Sequence, residues 1–207
     1  MLDDSILFIG GADRFGGGLA ESWSFSESSG WDKVAATNSP ILAAHTANLV
    51  QNHIYCFGGD GRAESTDTWV LDLDSMDWSV LKVTGRPPRW RRTAASTTVN
   101  ELIYIFGGWG VGGPMNDCHV LESQQKSGRW RRLGFGAIEQ IPSQRGSHSA
   151  TAIGHQGQEI IVVYGGYDGS QLSDLWVLDA SLSSPAWHRP KATGNSPPGG
   201  RSGHSAT

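Results

Sequence analysis

The sequence predicts an all-β fold: a β-propeller of four-stranded antiparallel blades, with four repeats present as part of a larger propeller. Three observations predict it. An apolar run ending in a glycine pair recurs four times, at residues 6–11, 54–59, 103–108 and 161–166. The first glycines lie 48, 49 and 58 residues apart, which is the period of an array of similar units. After each pair come a short strand with an acid two residues before its central aromatic position and then a strand bearing Trp. No stretch reads as a helix longer than one turn.

The glycine pairs are Gly10-Gly11, Gly58-Gly59, Gly107-Gly108 and Gly165-Gly166. A glycine pair ends a strand because glycine accepts φ > 0 and lets another backbone pass close by. A polar loop follows each. The next strand carries Glu21 before Trp23, Asp67 before Trp69, Asp117 before His119 and Asp174 before Trp176. Its apolar residues, such as Val70 and Leu71 between polar neighbours, suit a half-buried strand. Trp31, Trp78, Trp130 and Trp187 mark the strand after that, 8, 9, 11 and 11 residues beyond the preceding aromatic position. That spacing leaves room for a short turn, so the two strands form a hairpin.

Pro/Gly linkers then separate the units, as at residues 84–88 and 193–198. They lead into strands of small residues beginning at His45, Arg92 and His148. Small side chains belong where backbones crowd, at the inner end of each unit. The order is therefore small-residue strand, double-glycine strand, acid-aromatic strand, Trp strand. The units expected are about 1–38, 39–87, 88–143 and 144–200, with a partial inner strand at 201–207, all in one array over 1–207. One sheet of ~50 residues cannot bury its faces alone, so the units must pack face to face around an axis.

Composition narrows the function. The chain has 207 residues, 38% hydrophobic and 17% charged, with 28 Gly, which fits a globular, turn-rich protein. A net charge of −4 argues against a general nucleic-acid binder. Cys56 and Cys118 sit at different repeat positions, so no disulfide framework is expected and a reducing, cytoplasmic setting is. No apolar run reaches membrane-spanning length, and residues 1–4 hold no basic leader region.

The glycine pairs, the aromatic about eleven residues on and the second Trp resemble kelch repeats over nearly the whole chain. His119 at an aromatic position, Arg92 at a His position and the lack of a first inner strand are departures from that pattern. The resemblance implies a propeller, usually of about five to seven blades, and a protein-binding module of adaptor, scaffold or substrate-receptor type. A few relatives of this kind are enzymes or hold a metal, so fold alone does not decide function.

The residues themselves point away from catalysis. His45, His148 and His204 each head an inner strand, where a repeat-phased His orients a turn rather than a metal. Cys118 and His119 are neighbours on a strand and point to opposite faces. Tyr55 and Tyr104 share one position of the double-glycine strand in successive repeats, Tyr164 stands near it in the next, and all three read as core aromatics rather than copper-radical ligands. The acid-x3-Asp-x3-His run through which some plant kelch proteins hold iron is absent. Gly16-Gly17-Gly18 and the glycines at 110, 112 and 113 open no helix, so they cradle no phosphate. No catalytic residue, metal or cofactor is expected.

Charge is more informative. Arg86, Arg89, Arg91 and Arg92 surround Trp90, and Arg129, Arg131 and Arg132 surround Trp130. No acid falls between residues 78 and 100. The stretch is either a solvated basic edge or a seat for an acidic peptide, phosphate or nucleic-acid backbone. In a four-strand meander the loops after the second and fourth strands emerge on one face. Those loops hold the expected partner-binding residues Arg62, Arg86, Arg89, Trp90, Arg91, Trp109, Arg145, Tyr167, Asp168 and Arg201. The expected ligand is a protein or peptide, acidic where the arginines gather, with no nucleic acid or membrane involved. The alternative is an enzyme or metal protein on the same fold. The ends of the chain allow either a closed four-bladed ring or an arc of a larger propeller. The short copy of an inner strand at 201–207 favours the arc.

Overall fold

The computed structural model describes residues 5–61, 64–136, 140–155, 158–180, 184–191, 193–195 and 199–206, and these contain strands, turns and bends but no helix. In chain order the strands are β1 (Ile6–Ile9), β2 (Ser22–Ser26), β3 (Gly30–Lys33), β4 (Thr46–Val50), β5 (His53–Phe57), β6 (Thr68–Asp72), β7 (Asp77–Val80), β8 (Lys82–Gly85) and β9 (Ala95–Val99). They continue as β10 (Leu102–Phe106), β11 (Trp109–Gly110), β12 (Gly113–Pro114), β13 (Cys118–Gln124), β14 (Ser127–Arg132), β15 (Ser149–His155), β16 (Gln158–Tyr164), β17 (Leu175–Asp179) and β18 (Ala186–His188).

The blades follow the predicted strand order. Blade one is β1-β2-β3, blade two β4-β5-β6-β7, blade three β9-β10-β13-β14 and blade four β15-β16-β17-β18. Within each blade neighbouring strands pair antiparallel. The small-residue strands β4, β9 and β15 lie beside one another at the inner ends. Their polar side chains tie blade to blade: Asn48 Nδ2 donates to Ser96 Oγ at 2.8 Å, and the Ala152 N–H donates to Thr97 Oγ1 at 3.2 Å.

The hydrophobic core lies between blades rather than within one. Tyr55, Phe57 and Val70 of blade two share a cluster with Ile103, Leu121 and Trp130 of blade three. Phe106 and Val120 of blade three share the next with Val163, Trp176 and Trp187 of blade four. The aromatic before a glycine pair receives the outer Trp of the following blade: Phe57 meets Trp130 at 5.3 Å and Phe106 meets Trp187 at 5.0 Å between ring centroids. Truncating a Trp buried in this way to Ala costs about 3–5 kcal/mol. Trp78, Trp130 and Trp187 are buried by this packing. Trp31 differs: it is 58% exposed and touches Phe8 and Phe25 of its own blade, since no described element covers that face.

Two details differ from the expectation. The linker after blade two does more than separate units, because β8 adds to the outer edge of blade three, parallel to β14. The inner strand of blade three begins at Ala95, and Ala94, not Arg92, stands at the His position of His45 and His148. Arg92 is held away from the strand by backbone bonds to Trp109, and its side chain reaches Asp60 at 3.4 Å. Residues 199–206 continue past blade four without pairing to β1. Their Gly203 N–H donates to Ser147 O, and Ala206 O accepts from Thr151 Oγ1. The described residues thus form an open arc of four blades, a partial propeller. No helix among them is long and apolar enough to cross a membrane.

Candidate functional site

The loop face is built on one backbone contact repeated four times. The N–H of the second glycine in each pair donates to a carbonyl in the linker that follows. Gly11 donates to Leu42, Gly59 to Arg91, Gly108 to Arg145 and Gly166 to Arg201, each at 2.8 Å. The first glycine makes this possible. Gly58 and Gly107 have φ of +70° and +64°, and a Cβ on either would collide with the carbonyl oxygen of Arg91 or Arg145. Leu42, Arg91, Arg145 and Arg201 are therefore equivalent positions.

From that position two arginines turn into the next blade. Arg91 Nη1 donates to Gly107 O at 2.8 Å and to Asp117 Oδ1 at 2.7 Å, while Nη2 donates to Asp117 Oδ2 at 3.0 Å. Its Nε donates to Arg89 O at 3.1 Å. Arg145 repeats the set on Gly165 O at 3.0 Å, on Asp174 at 2.7 and 2.8 Å, and on Ser143 O at 3.1 Å. The forked guanidinium satisfies a glycine carbonyl and a whole carboxylate at once, which a lysine ammonium cannot match in geometry.

This geometry corrects the expectation for two residues. Arg91 and Arg145 are 1% and 0% exposed, so neither can meet a partner. Each is consumed in an ion pair whose acid lies 26 or 29 residues away. Burial alone would raise the pKa of Asp117, but hydrogen bonds from His119 and Arg91 hold it well below the usual carboxylate range. Asp174 is lowered likewise, with Arg145 and Trp176 overcoming the desolvation.

His119 also finds its reason here. Trp176 Nε1 donates to Asp174 Oδ2 at 2.7 Å, and His119 Nε2 lies 2.9 Å from Asp117 Oδ2. With its Nε2 protonated the imidazole donates to the corresponding acid, so the departure from the repeat preserves the bond.

The remaining expected residues lie as follows. Arg86 and Arg89 are exposed and, with Arg132, line a cavity of about 460 Å³. Among the described residues none of these three is in an ion pair. Asp117 also borders the cavity, but Arg91 and His119 already occupy its oxygens. Arg89 further lines a neighbouring cavity of about 350 Å³ with Trp90, whose indole N–H is spent on Gly59 O at 2.9 Å. Trp109 and the exposed Tyr167 stack at 6.1 Å between blades three and four. Asp168 is exposed and accepts from the N–H of Ser170 in its own turn. Arg201 is half-buried, with its guanidinium 5.9 Å from the Tyr164 ring. Arg62 lies outside the described residues.

No group of three metal-ligating side chains occurs among the described residues. Both cysteines are buried and unpaired, and burial pushes the Cys118 thiol up to about 12, far from a reactive thiolate. Desolvation lowers His45 to about 4 and His148 to about 3, keeping both neutral.

The sequence reading also missed a cavity. In blade two the equivalent position is Leu42, and a cavity of about 540 Å³ opens beside it, bordered by Asp67 and Trp69. The signal was the spacing: Arg145 stands three residues before His148 and Arg201 three before His204, whereas Leu42 stands three before His45.

A family model described as the KLHDC2/KLHL20/DRC7 Kelch-repeats domain matches residues 1–207. Adagio-like protein 1 of Oryza sativa subsp. japonica is 32% identical over 203 residues, covering 94% of this chain and 31% of that protein. An F-box/kelch-repeat protein of Arabidopsis thaliana is 33% identical over 189 residues, covering 85% and 38%. Acyl-CoA-binding domain-containing protein 4 of Arabidopsis thaliana is 30% identical over 190 residues, covering 88% and 27%. The chain thus spans about a third of the length of the curated relatives it matches.

Proposed function

The chain belongs to the kelch-repeat family, and from that premise we propose that it is a non-catalytic protein-interaction module, of adaptor, scaffold or substrate-receptor type, whose loop face takes acidic segments of partner proteins. One observation carries the reading: Arg86, Arg89 and Arg132 converge on a cavity whose only bordering acid among the described residues, Asp117, is already bound by Arg91 and His119. Three guanidinium groups with no ion-pair partner among the described residues make a strongly positive seat for carboxylate or phosphate groups. The half-buried Trp90 and the Trp109–Tyr167 stack add flat aromatic area of the kind that anchors peptides. One relative's name joins kelch repeats to an F-box and another's names an acyl-CoA-binding domain, which supports a binding segment serving a larger protein.

The test uses fluorescently labelled peptides rich in Asp, Glu or phosphoserine, with a basic peptide as control. Acidic peptides should bind, and more weakly as salt rises. Arg86→Glu with Arg89→Glu should weaken them roughly tenfold, since each exposed pair contributes about 1 kcal/mol at most. Equal binding by the double variant at every ionic strength would reject this seat.

A further inference from the structure

The cavity in blade two is an unfilled copy of a site that blades three and four fill with their own arginine. The backbone clamp places Leu42 at the position of Arg91 and Arg145. Strand register makes Asp67 the counterpart of Asp117 and Asp174, because Phe57 pairs with Thr68 as Phe106 does with Cys118 and Tyr164 with Leu175. By the same register Gly58 O corresponds to Gly107 O and Gly165 O. Pro40 O corresponds to the carbonyls of Arg89 and Ser143, two residues before each arginine.

All these groups border the cavity of about 540 Å³. Leu42 offers no donor to any of them. Asp67 is exposed, and among the described residues it is in no ion pair. Nor does it receive the ring N–H that Trp176 gives Asp174, although Trp69 stands at the matching place. Among the described residues no side chain donates to Gly58 O, whereas Arg91 and Arg145 donate to its two counterparts. Blade two thus presents a carboxylate and two carbonyls in the arrangement that holds a guanidinium elsewhere in the same molecule, with space where the guanidinium belongs.

We propose that this cavity receives an arginine side chain from a partner peptide, its guanidinium taking the place that Arg91 and Arg145 fill in the neighbouring blades. The fork donates two bonds to Asp67 and one to Gly58 O, while the aliphatic stem lies along Leu42 and Trp69. An ammonium fits less well, because one point charge cannot reach the carboxylate and the carbonyl in the same plane. The site is opposite in charge to the arginine-lined cavity and stands independently of the acidic-ligand reading.

The experiment titrates the protein with a peptide of sequence acetyl-Gly-Arg-Gly-amide and with its citrulline, lysine and free L-arginine counterparts, followed by NMR or by Trp fluorescence. The arginine peptide should bind at least tenfold tighter than the citrulline peptide, and tighter than the lysine peptide. It should also exceed free arginine, whose own carboxylate lies close to Asp67 when bound; tighter binding of free arginine would replace the peptide by a small guanidine. Asp67→Asn should weaken the arginine peptide at least tenfold without altering the melt. Leu42→Arg should place the missing side chain in the cavity, abolish binding and raise the melting temperature. Equal affinity for arginine and citrulline, or full binding by Asp67→Asn, would overturn the proposal.

Discussion

Blades two and three share one backbone contact on the loop face and differ at the side chain it carries, Leu42 in one and Arg91 in the other. In both, a linker carbonyl caps the preceding glycine pair at 2.8 Å, and an acid opens the third strand. In blade three Arg91 spans the gap to Gly107 O and Asp117 and is buried. In blade two Leu42 packs with Leu71 and Trp78 instead, leaving Asp67 at the rim of an open cavity. On the loop face the blade-to-blade contact is therefore made by main chain, and the arginine is an addition to it. Where the addition is present it takes up these acceptors, and where it is missing the same acceptors border an open cavity.

The strongest way to break this comparison is to attack the joint the blades share. Gly58→Val and Gly107→Val each force a branched side chain into φ near +65° and against a carbonyl. Both should destabilise by about 3–5 kcal/mol in denaturant unfolding. A mild Gly58→Val beside a severe Gly107→Val would show that the joint itself differs between the blades.

Next comes the addition. Arg145→Met leaves Asp174 without its cation and Gly165 O without its donor, and should cost about 3 kcal/mol. Leu42→Met, at the equivalent place in blade two, should cost under about 1.5 kcal/mol because it conserves volume and strands no charge. Comparable losses would mean that the bridge adds little to the backbone clamp.

Acid unfolding sharpens the comparison by separating the blades. His45 and His148 have folded values below the unfolded one of about 6.5, at about 4 and about 3. Below about pH 6.5 the unfolded chain binds protons that these buried rings refuse, so stability falls as pH drops toward those values. Blade three has Ala94 at that position and no ring. Asp117 and Asp174 are depressed too, so their contribution is lost only below the unfolded carboxylate value of about 3.9. Chemical denaturation from pH 8 to 3 should show the first loss reduced in His148→Gln. A curve unchanged from wild type would show that this ring does not report on burial.

The smallest effect concerns His119. His119→Phe removes one donor to Asp117 and should cost about 1 kcal/mol. His119→Trp, which restores the N–H found at Trp176, should stay closer to wild type. A reversed order would sink the view that this His stands in for an indole.

Much of this was legible because local chemistry repeats. The four glycine pairs, the acids from Glu21 to Asp174 and the outer Trp residues each recur at a fixed place in the unit: a tight strand end, a hairpin, a side chain on the packing face. Their spacing therefore determines the strand order, the antiparallel pairing and the small inner strands. The arginines were different. In the sequence Arg86, Arg89 and Arg91 are one basic run, yet the first two face solvent and the third is buried. Whether an arginine is ligand-facing or structural depends on a carboxylate arriving from a distant strand, as Asp117 reaches Arg91 and Asp174 reaches Arg145. Composition and period carry no record of that meeting, since desolvating a cation is favourable only when its full set of acceptors converges in space. Only the tertiary structure decided it, and in blade two the same convergence without an arginine left Asp67 open beside Leu42.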